Sequence, residues 1–249
     1  TALVTFNGGK YFVEGMMKCK MPGAVNPATW KEFISFIADK IQPLLSNTDK
    51  IGFCFSYNAE ITPDIDAKVV KIDKEITITG CEGKMVGKAL VKELESRGIY
   101  GKRVVILNDT IAVLMGGSAT LDKSKYDGFI GEVSGTGMNV CCELPLSRIK
   151  KLGIDSSDKI LINMEAGTYN GMEGGDIDKK IDKESKDPGN KIIEKQCSGA
   201  YIGEVCRLAL IAGANEGLFS GASCENILKL KRFDGSVAHE IAVGGNPGG

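Results

Sequence analysis

The stretch between residues 51 and 107 most constrains the fold of this 249-residue chain. Ile51-Gly-Phe-Cys-Phe-Ser is typical of a short buried strand, and residues 84–97 carry the apolar spacing of an amphipathic helix that Gly98 ends. Residues 103–107, Arg-Val-Val-Ile-Leu, are rich in β-branched side chains, as strands are. A strand, a helix and a strand at this spacing predict a parallel βαβ unit, and therefore an α/β fold.

The remaining elements extend this pattern on both sides. Residues 1–22 are typical of a hairpin, and Asn26 and Pro27 predict a helix with Asn at its cap and Pro in its first turn. Further elements are predicted as strands at 127–133, 138–144 and 159–163, helices at 199–214 and 222–230, and an exposed loop at 171–191. The natural break lies near 108–112, so we expect one domain over 1–108 and a second over 109–249.

Charge and composition exclude several classes of function. Lys and Arg number 31 against 32 Asp and Glu, which argues against a protein that coats nucleic acid or an anionic membrane. No apolar run approaches the ~20 residues of a membrane span, and the N-terminus does not resemble a secretory signal. The eight Cys form no Cys-x-x-Cys pair, which favours reduced thiols in a cytoplasmic protein and no metal site. Because His239 is the one histidine, acid–base chemistry is assigned to carboxylates.

Polar residues follow the apolar strand that ends at Leu107. In open α/β sheets, ligands bind at the carboxyl ends of strands, and a carboxylate there can accept a proton from a substrate hydroxyl. Asp109 is therefore a candidate base. The alternative is that Asn108, Asp109 and Thr110 only cap the helix that follows them.

Three other segments have the same double interpretation. The glycines around Thr136 could let backbone N–H groups approach an anion, or could form an ordinary hairpin turn. Residues 163–167 place polar groups after a strand, either for a ligand or simply for solvent. Glu194 is either a ligand for a bound molecule or one of many exposed helix charges.

Taken together and in order, these segments resemble the hexokinase and glucokinase family of sugar kinases, within the actin-like ATPase superfamily. The resemblance runs from about Ile51 to Phe233. The matching stretches are Gly52-Phe-Cys-Phe-Ser56, Gly80-Cys-Glu-Gly83, Leu107-Asn-Asp-Thr-Ile-Ala112, Gly135-Thr-Gly-Met-Asn139, Ile162-Asn-Met-Glu165, Pro188-Gly-Asn-Lys-Ile-Ile-Glu-Lys195 and Ser198-Gly-Ala-Tyr-Ile-Gly-Glu204.

The resemblance implies a two-domain actin-like (ribonuclease H-like) sugar kinase fold, of which this chain is a part. It implies phosphorylation of a hexose, most readily glucose, at the 6-hydroxyl by ATP with Mg²⁺, the first step of glycolysis. Asp109 is then the general base. The sugar-binding residues implied are Ser56, Lys74, Asn108, Asn139, Glu165 and Glu194, and the phosphate-contacting residues are Gly135, Thr136 and Gly137. The two domains are expected to close over the sugar and exclude water.

Departures from the family pattern bear on specificity. Asp73 stands where the family has a sugar-binding Thr, Asn58 replaces a usual Pro, and Ala166 replaces a usual Trp. The resemblance further predicts an Asp-x-Gly-Gly-Thr phosphate motif before Thr1, and a second phosphate motif and an adenosine motif after Phe233. Without those motifs, the alternatives are a non-catalytic sugar-binding or regulatory module and a structural member of the superfamily.

Overall fold

A computed structural model describes residues 1–72 and 76–244. The chain divides into two compact units, residues 1–128 and 129–249. The expected division at 108/109 lies earlier, because the strand ending at Leu107 passes directly into a helix capped by Asn108. The polar connection between the units instead follows that helix, at residues 121–128.

The first unit is built from eight strands and three helices among the residues that the structure describes. The strands are β1 (Leu3–Asn7), β2 (Lys10–Glu14), β3 (Ala28–Thr29), β4 (Lys50–Cys54), β5 (Asn58–Ile61), β6 (Ala67–Lys71), β7 (Ile78–Thr79) and β8 (Arg103–Leu107). The helices are α1 (Trp30–Ile41), α2 (Val86–Ser96) and α3 (Asp109–Thr120). Strand β1 pairs antiparallel with β2, as the hairpin prediction required.

The predicted βαβ unit is present. Strands β4 and β8 are parallel, with Cys54 opposite Leu107. Helix α2 lies between these two strands in the chain and packs against β8. The apolar faces of α1 and α2 build the core of the first unit. Its largest fully buried side chains are Phe33, Val69, Val86, Leu90, Leu94 and Ile106.

Helix α1 begins later than predicted. The expected cap at Asn26 and first-turn Pro27 are wrong, because residues 28–29 pair with residues 78–79 as a short parallel ladder. Thr29 then caps the helix in a capping box: its hydroxyl accepts from Glu32 N, while the Glu32 carboxylate accepts from Thr29 N.

The second unit combines an antiparallel sheet with a group of helices. Strands β9 (Ile130–Ser134), β10 (Met138–Pro145) and β11 (Lys159–Asn163) form a sheet with β10 in the centre. The helices described are α4 (Asp176–Glu184), α5 (Ile192–Cys197), α6 (Ile202–Asn215), α7 (Gly221–Leu228) and α8 (Gly235–Ala242).

Two predictions in the second unit need correction. The segment 171–191 is not a continuous loop, because it contains helix α4, whose Ile181 is buried. Helix α6 begins at Ile202 instead of residue 199, because Gly199 N donates to Gly135 O at 2.7 Å and is committed to the turn before β10. No helix within the described ranges is long and apolar enough to cross a membrane.

Candidate active site

The carboxyl ends of two neighbouring parallel strands bring together the candidate residues of the first unit. Phe55 N donates to Leu107 O at 2.8 Å, so Ser56, after β4, and Asn108, after β8, leave the same edge of the sheet. Asp109 is the next residue, half-buried at the first turn of α3. Lys74, the remaining candidate from this part of the chain, and its neighbour Asp73 lie outside the described residues.

Asn108 does cap α3, as the structural interpretation predicted. Its Oδ1 accepts from Thr110 N at 2.9 Å. Asp109 Oδ1 also accepts from Thr110 N, at 2.9 Å. Capping and function are therefore compatible here, because the cap fixes both residues at the end of β8.

The thiol of Cys54 lies close enough to this sheet edge to be affected by the charge of Asp109. Desolvation of its thiol, and next the negative charge of Asp109, raise the pKa of Cys54 above its usual value. The thiol therefore stays protonated at neutral pH and is a poor nucleophile. Among the described residues at this edge, Asp109 carries a carboxylate, the type of group that can accept a proton from a hydroxyl.

In the second unit, three polar side chains meet where β10 begins and β11 ends. Asn139 Nδ2 donates to Asn163 Oδ1 at 2.7 Å and lies 3.4 Å from Glu165 Oε1. Asn163 Nδ2 donates to Glu165 Oε1 at 2.6 Å. Asn139 Oδ1 accepts from two backbone N–H groups, those of Val140 at 2.8 Å and Ala166 at 3.2 Å. This network fixes the orientation of both amides and of one Glu165 oxygen.

Glu165 is held in an uncommon backbone conformation. Its φ of 50° lies in the left-handed region, which residues other than Gly seldom adopt. The turn after it holds that conformation, because Thr168 donates to Glu165 O from both its backbone N, at 2.9 Å, and its hydroxyl, at 2.7 Å. Backbone strain of this kind concentrates at functional sites.

Glu194 reaches the same place from helix α5. Its Oε2 accepts from Met138 N at 3.2 Å. A Cβ added to Gly137 would lie 2.7 Å from that oxygen, and one added to Gly167 would lie 3.0 Å from it. These two glycines therefore make room for the carboxylate. Lys191 Nζ is 3.6 Å from Glu194 Oε1, but Lys191 is 45% exposed, which weakens the pair.

The turn 135–137 is also anchored from the other side. Gly199 N and Ala200 N donate to the carbonyls of Gly135 and Thr136, at 2.7 and 3.2 Å. Gly135 N donates to Gly137 O at 2.9 Å, so this N–H already has a partner. The predicted phosphate role of Gly135, Thr136 and Gly137 stays a prediction, whereas the contact of Gly137 with Glu194 is a role that sequence reasoning missed.

Asn163 is a residue to which sequence reasoning gave no role of its own. It lies in the Ile162-Asn-Met-Glu165 stretch, and its position at the end of β11 was the available signal. The described residues contain no group of three or more His, Cys, Asp or Glu side chains that could hold a metal ion. Carboxylate and amide groups ordered in this way suit a ligand that donates several hydrogen bonds.

The fold and these polar groups define an α/β protein with a candidate ligand site, and comparison with known proteins identifies its family. Two family models, both described as hexokinase, match residues 1–119 and 129–244. Hexokinase-1 of Homo sapiens is 32% identical over 199 residues, which cover 77% of this chain and 21% of that protein. Hexokinase-2 of Candida albicans is 31% identical over 249 residues, which cover 92% of this chain and 50% of that protein.

Solved structures agree with this result. A hexokinase from Schistosoma mansoni in complex with glucose superposes with a TM-score of 0.64 at 26% identity, over 87% of this chain and 50% of that one. Another hexokinase crystal structure has a TM-score of 0.69 at 21% identity, over 97% and 54% of the two chains, and supports the fold alone. The chain belongs to the hexokinase family, and the predicted actin-like sugar kinase fold is confirmed. It spans about a fifth to a half of the curated relatives named above.

Proposed function

We propose that the protein phosphorylates a hexose at its 6-hydroxyl with ATP, and that glucose is the preferred hexose. The observation that carries this proposal is the ordered group of Asn139, Asn163, Glu165 and Glu194, in which amide and carboxylate groups from three separate segments lie close together. Each sugar hydroxyl can donate to such an acceptor, and charged acceptors make short, strong hydrogen bonds. A site that pairs each hydroxyl also rejects analogues that lack one.

Asp109 is proposed as the general base. The hydroxyl needs to lose its proton as its oxygen attacks the γ-phosphorus of ATP, and the bond from that phosphorus to the β,γ-bridging oxygen breaks, releasing ADP. The proton moves to the Asp109 carboxylate. Asn108 and Ser56, at the same sheet edge, and Lys74 are proposed as further sugar-binding residues.

The turn at Gly135, Thr136 and Gly137 is proposed to contact the phosphates of ATP. ATP is expected to bind as its magnesium complex, in which phosphate oxygens and water supply most of the ligands of Mg²⁺. A place in glycolysis, which depends on glucose being the substrate, and a cytoplasmic location, which the scattered Cys residues favour, are further parts of the proposal.

A non-catalytic sugar-binding module is the second candidate. Such a module needs the hydroxyl partners of the second unit but no base. The position of Asp109 at the carboxyl end of β8, in an α/β sheet where reactive groups collect, favours the kinase over this candidate.

The Asp109→Asn substitution in the intact protein tests the assignment of the base. We expect kcat to fall by about 10²–10⁴-fold, the usual contribution of a general base, while hexose binding measured by calorimetry persists. Asn keeps the size of Asp, and its Oδ1 can still accept from Thr110 N. Asp127→Asn, at an exposed position outside the helices and strands, is the matched control. Near-normal turnover in Asp109→Asn would show that another group takes the proton.

A further inference from the structure

A buried lysine, Lys195, directly follows Glu194 in the short helix α5. Lys195 is only 3% exposed, and its Nζ has three partners. It donates to Asp182 Oδ1 at 2.7 Å and to the carbonyl of Asp187 at 2.8 Å, and it lies 3.3 Å from Asp187 Oδ1. Burial alone lowers the pKa of Lys195, but the hydrogen bonds and charges of both carboxylates outweigh it and raise the pKa overall. The ammonium is therefore charged throughout the physiological range.

Asp182 connects this lysine to the loop before α5. Both of its carboxylate oxygens lie 3.0 Å from Gly189 N. The hydrogen bond from Lys195, followed by the one from Gly189, lowers the pKa of Asp182. Helix α4, which carries Asp182, and the loop 185–189 are thus tied to α5 through one ammonium group.

Helix α5 needs such an external anchor. It has six residues, too few for a helix to maintain its own geometry in water. It begins after Lys191, which has a φ of 53°, and its first turn is held by Ile192 N donating to Asn170 Oδ1 at 3.2 Å. The ion cluster around Lys195 and the contacts of Glu194 further restrain this helix.

Glu194 and Lys195 are neighbours that project to different surroundings. The Glu194 carboxylate lies against Gly137, Gly167 and Met138 N, whereas the Lys195 ammonium lies between Asp182 and Asp187. A rotation of α5 that broke one set of contacts would therefore displace the other. Removing the ammonium would also leave two carboxylates close together without their shared cation, and their repulsion would favour such a rotation.

We propose that Lys195, clamped by Asp182 and Asp187, is a positioning residue that holds the Glu194 carboxylate where it binds the hexose. This inference rests on the proposed function, because it assigns to Glu194 a role in sugar binding. Lys195 itself contacts no substrate in this account. Its effect should reach the sugar and leave the nucleotide untouched.

The test is Lys195→Met in the intact protein, compared with Lys229→Met, whose lysine is 74% exposed beside Glu225. Since a misplacement of about 1 Å can cost about 10²-fold, we expect the KM for hexose to rise about 10- to 100-fold in Lys195→Met. The KM for ATP should stay within about twofold of the parent, because the lost interaction concerns the sugar alone. A merely structural lysine would instead lower the amount of active enzyme, and so kcat, at an unchanged KM.

A double-mutant cycle with Glu194→Gln separates the two roles further. If Lys195 acts through Glu194, then Lys195→Met should change the hexose KM little in the Glu194→Gln background. Equal effects in both backgrounds would overturn the inference. Should Lys195→Met fail to fold, Asp187→Asn serves instead, because Asp187 is 41% exposed and its loss leaves Lys195 paired with Asp182. We expect a smaller rise of the same kind, and an unchanged hexose KM would overturn the inference.

The parent protein distinguishes this inference from the proposed function. If the parent phosphorylates hexose and Lys195→Met has the parental hexose KM, the positioning role is wrong and the proposed function stands. If the parent neither binds nor phosphorylates a hexose, the proposed function fails and the positioning role fails with it.

Discussion

Gly137 offers the sharpest test of how Glu194 is placed. A Cβ added at this position would lie 2.7 Å from Glu194 Oε2, whereas ordinary contacts begin at 3.4 Å. In Gly137→Ala the carboxylate oxygen must therefore retreat by about 0.7 Å, the difference between these two distances. The obstacle is the far end of a flexible side chain, so the fold can adjust at little cost in stability.

The retreat has a larger effect on binding. The carboxylate would lose its hydrogen bond from Met138 N, already 3.2 Å long, and its fixed position toward the ligand. A hydrogen bond to a charged group contributes about 1.5–3 kcal/mol. If the loss is carried into binding, the dissociation constant for hexose rises about 10- to 150-fold, since each 1.4 kcal/mol is tenfold.

Calorimetric titration of the intact protein with glucose measures this change, and thermal unfolding measures the cost to the fold. Gly128→Ala is the matched control, because nothing lies within 4 Å of the added Cβ there. We expect weak hexose binding and a nearly unchanged melting temperature in Gly137→Ala. Parental affinity in this variant would refute the reasoning, since it would mean that hexose binding does not depend on where the Glu194 carboxylate lies.

Three further predictions concern the scaffold. Gly167→Ala should destabilise the second unit by about 1–3 kcal/mol in urea denaturation, because its Cβ would lie 2.6 Å from the carbonyl of Met138, a backbone atom that cannot swing away; an unchanged midpoint would contradict this. Asp66→Ala should lower the free energy of unfolding by about 2–3 kcal/mol in the same measurement, because the buried carboxylate accepts from Gly87 N and Lys88 N at the start of α2. A loss below about 0.5 kcal/mol, the usual size for a surface substitution, would contradict this prediction. The pKa of Asp182 is lowered in the folded protein, so its stabilising effect is present above its unfolded pKa of about 3.9 and is lost as pH falls through the lower folded value. Asp182→Asn should therefore make the free energy of unfolding depend less on pH in the acid range. An unchanged acid range in the curve of stability against pH would rule this out.

Local patterns were sufficient for much of the fold. Strand β8 has the bounds that its β-branched residues predicted, and α2 buries Val86, Leu90 and Leu94 on the face that the helical spacing indicated. These signals lie within one segment of chain. The parallel pairing of β4 with β8 also followed, because a right-handed crossover through a helix is the usual way to connect such strands.

The errors lie where distant segments decide the outcome. The cap of α1 moved from Asn26 to Thr29 because residues 28–29 pair with strand β7, about fifty positions away. Helix α4 was missed because its sequence, Asp-Ile-Asp-Lys-Lys-Ile-Asp-Lys-Glu, carries only Ile177 and Ile181 at helical spacing. Only Ile181 of this helix is buried, and two isoleucines among seven charged residues do not distinguish a helix from a charged loop.

The site shows the same division. Asn139, Glu165 and Glu194 could be picked out because they lie in motifs whose order along the chain is typical of one family. The contact of Glu194 with Gly137 and Gly167 could not, because it joins segments 57 and 27 positions apart and depends on the rotation of α5. That rotation in turn depends on the buried Lys195, which in the sequence is one of many lysines.

Binding of glucose tests the central claim most directly. We would titrate the intact protein with D-glucose in a calorimeter, with D-galactose as the comparison sugar and Glu194→Gln as the comparison variant. The account predicts saturable binding of glucose, weaker binding of galactose, and binding to Glu194→Gln weakened by about tenfold or more, since a charged hydrogen-bond acceptor is lost. Glucose binding of equal strength in the parent and in Glu194→Gln, or no binding by a folded parent protein, would contradict it.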